Sequence, residues 1–378
     1  MKTIVGKVAE QVADAVLYEG YILYPYRPSA LKNRQRWNFG GICPRAYSEA
    51  QKGSELWRTQ SEVLVHGSAG SSAGAAPSIA LSVVLEIRVR FLHLVAREVA
   101  RLDHPVADLG ECGESDFTIV PTLKIGERLF QSWQEAIERE VNVPEIALGS
   151  GGGAEAVFPF RFPASQAREP LVDQGHGQGR GRDQIVGALI RSQEQVDGRV
   201  TVKSVRIGDD LFRVSVQVAN LTDVPQTASL ERERAMMHSL ASCHSILSVD
   251  GGEFVSLLDP PEEFAEAARE CRNVGVYPVL VGAENERATM LASPVILYDY
   301  PAIAPESAGD LFDGTEIDEI LTLRIMALTD EEKRELRQSD DRARRILERI
   351  EANPEQLMKL HGAVRAISPA RGHGGGAA

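Results

Sequence analysis

The chain has 378 residues, of which 43% are hydrophobic, and 41 Lys+Arg against 54 Asp+Glu give a formal net charge of −13. That balance excludes binding to nucleic acid through an overall positive charge. The length and apolar fraction exclude wholesale disorder and allow two or three domains.

The N-terminus meets Glu10 and Asp14 before an apolar run of signal-peptide length is complete, so secretion by that route is not expected. Apolar stretches such as Ile79 to Leu85 are strand-sized, far below the roughly 20 residues of a membrane-spanning helix. Cys43, Cys112, Cys243 and Cys271 lie far apart without a Cys-x-x-Cys pair, which points to a reducing cytoplasm.

In chain order, Val5, Val8, Val12 and Val16 recur at helical spacing and predict a short amphipathic helix over 3–17, leading into an aromatic, extended segment at 18–26. Residues 67–78 have the composition of a Gly/Ser-rich loop. From Ile79 to Phe91 every odd position is apolar while Glu86, Arg88 and Arg90 take the other face, which predicts a long strand with one buried side. Phe158, Phe160 and Phe162 also alternate, and Pro159 and Pro163 confine that stretch to an edge strand or an extended arm. Val200 to Ile207, Gly208-Asp209-Asp210 and Leu211 to Val218 read as a β-hairpin. Residues 1–225 are therefore expected to form an antiparallel, β-rich domain with Gly-rich loops at 67–78, 147–155 and 173–183.

Beyond it, Leu230, Met237, Leu240, His244 and Leu247 fall on one helical stripe. Asp259-Pro260-Pro261-Glu262-Glu263 reads as a helix start, and Val276 to Val281 and Ser293 to Tyr298 read as strands. These predict a small α/β domain over 226–300. Thr315 with Asp318, Thr329 with Glu332 and Asn353-Pro354 mark helix starts, giving a helical segment over 301–366 and a disordered tail over 367–378. The expected class is α+β.

The densest unusual segment contains Tyr24, Tyr26, Arg27, Lys32, Arg34, Arg36 and Trp37. Over residues 27–58, Arg27, Lys32, Arg34, Arg36, Arg45, Lys52 and Arg58 face only Glu49 and Glu55, a local +5 in an acidic chain. Arg with Tyr and Trp is the composition of a protein-interface hot spot. It also suits an anion held by bidentate Arg, or a loop tied down by internal ion pairs. Its counterpart is the acidic run Glu306, Asp310, Asp313, Glu316, Asp318 and Glu319. Asp313, Glu316 and Asp318 suit a helix N-terminus, and the run lacks calcium-loop spacing, so no metal is expected there. His238-x4-Cys243-His244 has the ligand types for zinc but no second close pair, and His244 shares the apolar stripe, so a buried structural histidine is the expectation. Serine-hydrolase, zinc-protease and P-loop signatures are absent from the sequence.

Tyr24 to Gly41, Ser293 to Ser307 and Asp313 to Arg324 resemble a bacterial family of uncharacterised proteins encoded beside [NiFe]-hydrogenase genes. That resemblance implies a role in hydrogenase assembly or function, with a hydrogenase subunit or maturation factor as partner. It brings no catalytic residues and no cofactor. Two functions follow as expectations: a non-catalytic accessory or scaffold protein docking through the basic aromatic segment, and an enzyme or binding protein for a small anionic metabolite. The second would use Arg27, Arg34 and Arg36 as a clamp, with Asp299, Glu306 or Asp313 supplying acid/base or metal chemistry.

Overall fold

From Val83 on, the alternating run lies in the longest strand among the described residues. A computed structural model describes residues 2–18, 40–67, 83–126, 128–149, 154–173, 184–225, 229–302 and 325–339, with positions 344, 347, 348, 351 and 352. The chain opens with helix α1 (Lys2–Leu17) and helix α2 (Arg45–Ala50). The strands then run β1 (Arg58–Gly67), β2 (Val83–Val106), β3 (Phe117–Val120), β4 (Thr122–Ile125), β5 (Arg128–Gln131) and β6 (Trp133–Leu148). They continue with β7 (Ala154–Phe162), β8 (Ser165–Asp173), β9 (Gln184–Gln193), β10 (Val196–Arg206) and β11 (Leu211–Asn220). Helix α3 (Arg232–Met237) precedes β12 (Ala241–Asp250) and β13 (Gly252–Val255), and α4 (Ala265–Glu270) precedes β14 (Tyr277–Leu280) and β15 (Thr289–Ser293). The last described element is α5 (Asp330–Ser339).

The class is α+β, and every strand pairing among the described residues is antiparallel. One sheet has the order β13-β1-β11-β10-β7, and the larger one runs β14-β15-β12-β2-β9-β8, with β6 and β3 also on β2. The registers make β2 a spine: β12 and then β9 line one of its edges, β6 and then β3 the other. The odd residues Val83, Leu85, Ile87, Val89 and Phe91 form the main core with Val63, Val65 and Val200 and with Phe212, Val214 and Val216 of the facing sheet. Burying the apolar face of each alternating strand against the other sheet supplies the driving force, at about 25 cal/mol per Å².

The hairpin read at 200–218 is β10–β11, and the Phe158-Phe160-Phe162 stretch is β7, an edge strand. Gly198 sits opposite Phe160 because a Cβ there would lie 2.3 Å from Phe160 Cζ and 2.8 Å from the Ala219 carbonyl oxygen. Gly198→Ala is expected to cost about 1–3 kcal/mol by overpacking. Urea unfolding at pH 7 checks this, and an unchanged midpoint would contradict it.

Three sequence readings change. The helical stripe read from Leu230 to Leu247 is divided: His244 and Leu247 lie in strand β12, and the helix is confined to Arg232–Met237. The cause is burial on both faces: Ile246 packs beneath α1 while Leu247 enters the main core, so the apolar run loses the strand period. The strand read at 293–298 is displaced to Thr289–Ser293 and stops at Pro294, against which Gly40 packs with φ +56. The 226–300 region enters both sheets of the β-rich region, β12 pairing with β2 and β13 with β1. The helix start at 259–263 yields a 3-10 turn, Glu262–Phe264, and then α4.

Helix α1 carries Val12 and Val16 onto Ile246 and Leu291. Arg90, 8% exposed, reaches Asp14 (2.8 Å), Glu10 (3.4 Å) and Glu138 (3.4 Å), tying helix to sheet. The box at 329–332 caps α5: the Thr329 N–H donates to Glu332 Oε2 at 2.8 Å. The helix starts near 316 and 354 and the tail at 367–378 lie outside the described residues, as do 68–78, 150–153 and 174–183 of the predicted loops.

Candidate functional site

Of the residues singled out for function, Tyr24, Tyr26, Arg27, Lys32, Arg34, Arg36, Trp37, Glu306, Asp313 and Glu316 lie outside the described residues. Asp299 is described, and both its carboxylate oxygens are engaged. Oδ2 accepts from Ser256 Oγ (2.5 Å) and Oδ1 from the Leu280 N–H (2.8 Å), while Ser256 Oγ accepts the N–H of Asp259 (2.9 Å). The carboxylate thus pins β14 to the 256–259 turn, beside Tyr300 in a left-handed conformation (φ 56). Asp299 also borders a concavity of about 540 Å³ between α1 and the 299–302 turn. In the same segment Ile296 and Tyr298 are 75% and 87% exposed.

The described end of the basic segment separates paired from unpaired cations. Arg45 is bound by Glu49 (2.7 Å), and Glu55 is taken by Arg232 (2.8 Å). The guanidinium groups of Arg45 and Arg58 lie over the Trp57 ring, 4.8 and 5.0 Å from its centroid, a cation–π arrangement that holds Arg58 at the start of β1.

From there Arg58 enters a feature that the sequence reading missed, a groove of about 580 Å³ on the outer face of the five-stranded sheet. Strand register writes its floor as rows. Arg58 faces Ala219 on β11, which faces Arg199 on β10, which faces Pro159 on β7. The next row is Gln60, Gln217, Thr201 and Val157, and the third is Glu62, Ser215, Lys203 and Glu155. Strands stand about 4.8 Å apart, so the Cα atoms of Arg58 and Arg199, two strands distant, are about 10 Å apart.

Charge is distributed unevenly over these rows. Lys203 is paired with Glu155 (3.0 Å), and Arg213 with Glu270 of α4 (2.5 Å). Glu62 accepts the backbone N–H of Arg272 (2.8 Å). Among the described residues neither Arg58 nor Arg199 has a carboxylate within ion-pair distance, and the buried Arg199 Nε has no hydrogen-bond partner. The first row therefore presents two uncompensated guanidinium groups on either side of a small residue, a geometry suited to carboxylate or phosphate oxygens. The signal was present in the sequence: Arg199, Thr201 and Lys203 alternate with buried Val200 and Val202, as Arg213, Ser215 and Gln217 do on β11.

Elsewhere, Cys243 and His244 are successive residues of β12 and project to opposite faces, so they do not converge on one ion. Burial pushes the Cys243 thiol up and lowers His244 to about 4. Among the described residues no group of three or more His, Cys, Asp or Glu side chains is placed to hold a metal, and no helix is long and apolar enough to cross a membrane. No family model matches the chain, and neither a curated protein nor a solved structure matches it.

Proposed function

We propose that this protein is a non-catalytic accessory protein that docks an acidic partner on the outer face of its five-stranded sheet. The observation that carries this reading is the unpaired Arg58–Ala219–Arg199 row in a chain of net charge −13. Lys203 and Arg213 on the same face are paired with carboxylates, whereas among the described residues Arg58 and Arg199 have none. Arg enriched at an accessible, partly desolvated surface is a recurrent anchor of protein interfaces. Exposed Ile296 and Tyr298 offer apolar contact area on a second surface. The resemblance of Tyr24 to Gly41, Ser293 to Ser307 and Asp313 to Arg324 to a hydrogenase-linked family supplies the candidate partner, a hydrogenase subunit or maturation factor.

Capture from cells expressing the hydrogenase genes tests the reading. Tagged full-length protein should retain the partner, and the Arg58→Gln/Arg199→Gln pair should reduce capture at least about tenfold at 0.05 M salt, with a smaller loss at 0.3 M, where screening already weakens what both arginines contribute. Equal capture by both proteins would overturn it. A second reading, a binding protein for a small anionic metabolite, is favoured by the groove volume, which falls within the range of about 300–1,000 Å³ of small-molecule sites. A thermal-shift series with succinate and inorganic phosphate separates it from docking, since only this reading expects stabilisation that both Arg replacements abolish.

A further inference from the structure

We infer that the groove receives an extended acidic segment of the partner whose carboxylates stand at alternating positions, i and i+2, one on each of Arg58 and Arg199. The inference rests on the docking reading and adds the chemistry of the occupant.

Spacing is the first argument. Residues i and i+2 of an extended chain lie on one face, about 6.6 Å apart. Long arginine side chains rising from Cα atoms about 10 Å apart, with Ala219 between them, can both reach carboxylates at that spacing, whereas the carboxylates of adjacent residues point to opposite faces. The segment then crosses the strands at a steep angle, following the first row.

The neighbouring rows fix where the acids sit. Gln60, Gln217 and Thr201 form a neutral second row with amide and hydroxyl groups, suited to the backbone N–H and C=O groups of an extended chain. In the third row Glu155 already occupies Lys203, and Glu62 stands at the other side. An acid displaced toward that row meets two carboxylates and one spent cation, so the wrong register is penalised by repulsion. Apolar flanks find Val157 and Val205 at the rim, 50% and 49% exposed. Among the described lining residues there is no aromatic ring, so the stacking surface that sugars and bases use is missing from this groove.

The experiment is fluorescence anisotropy of the full chain with labelled peptides. The first probe carries two Glu residues separated by one Thr within a Gly/Ser context, the second carries the two Glu residues adjacent, and the third has Gln in place of both. The first is expected to bind about tenfold more tightly than the second, with no saturable binding of the third. Arg199→Gln and, separately, Arg58→Gln should each weaken the first about tenfold. Arg58 is exposed, so its replacement tests the idea even if Arg199→Gln perturbs the strand. Equal binding of the first two probes, or indifference to Arg58→Gln, would overturn the inference. So would displacement of the first probe by millimolar succinate or phosphate, which would return the groove to the small-anion reading. Partner capture that needs Arg58 and Arg199 without peptide binding overturns this inference but keeps the docking reading; loss of dependence in both assays removes both.

Discussion

Acidification from pH 7 to pH 4 is expected to remove about 6 kcal/mol of folding stability through two buried histidines. His93 and His244 are 0% and 1% exposed. His93 Nε2 donates to the Glu194 carbonyl oxygen (2.9 Å) and its Nδ1 has no partner; His244 Nδ1 donates to the Ser242 carbonyl oxygen (3.1 Å) and its Nε2 has none. Both rings are thereby held neutral, each with a buried acceptor nitrogen that has no hydrogen-bond partner. Burial is the largest cause of their lowered pKa values, reinforced by Arg139 beside His93 and by Arg90 and Arg88 beside His244. Each falls from an ordinary 6.5 to about 4. With the folded pKa depressed, the unfolded chain takes up these protons first as pH falls through 6.5. Their contribution is complete above about pH 6.5 and is lost toward pH 4, at about 3 kcal/mol per histidine from 1.36 kcal/mol per pH unit. Against a typical total of about 5–15 kcal/mol, the fold should open in mild acid. Urea midpoints at pH 7, 6 and 5 check this, with His244→Asn and His93→Gln each flattening the dependence. Stability that is level across this range would refute the assignment.

The chemistry of those histidines also explains which parts of the fold could be read from sequence. His93 lies in β2 where the period-2 pattern ends: through Phe91 the even positions meet water or α1, but Leu92 and Leu94 pack beneath Tyr47 and Met236 while the odd face stays in the core. A strand covered on both sides reads as a continuous apolar run, so the sequence pattern stopped near Phe91 although the strand continues to Val106. The same double coverage turned β12 into an apparent helix. Its backbone carries a further irregularity, a register shift between Ala241 and His244 with Ser242 at φ 52, that no periodic template contains. Where one face is wet, as in β10 and β11, alternation was sufficient to place the hairpin.

The groove divides along the same line. Arg58 was legible as the last cation of a basic segment, because local composition is a property of neighbours in sequence. Alternation with Val200 and Val202 puts Arg199 on the wet face of β10, but its place beside Arg58 arises from antiparallel register across β11, a long-range pairing that composition does not encode. Arg45, which has the same sequence credentials as Arg58, is neutralised by Glu49 one helical turn away. A count of charges thus located the neighbourhood of the groove, and the third dimension selected which of the charges remain unspent.

Phe91→Ala is expected to cost about 3–5 kcal/mol, the range for emptying a fully buried aromatic site. Phe91 is 0% exposed on β2, and its ring lies 5.6 Å from that of Phe162 in an edge-on arrangement and 6.1 Å from that of Phe160. Both partners stand on β7, which among the described residues pairs with β10 alone, so this aromatic contact fastens the edge of the five-stranded sheet to the spine of the other. Removing the ring forfeits apolar burial and leaves a void that the surrounding β-branched residues cannot close without moving the sheets together. Phe91→Leu retains most of the volume and should cost no more than about 1.5 kcal/mol. Denaturant midpoints at pH 7 measure both, and an alanine effect below about 1 kcal/mol would show that the cluster is not a structural clamp. Because β7 supplies Pro159 beside Arg199 and Glu155 opposite Lys203, loosening it should also weaken partner capture in Phe91→Ala at temperatures where the protein is still folded. In Phe91→Leu, capture should match the wild type.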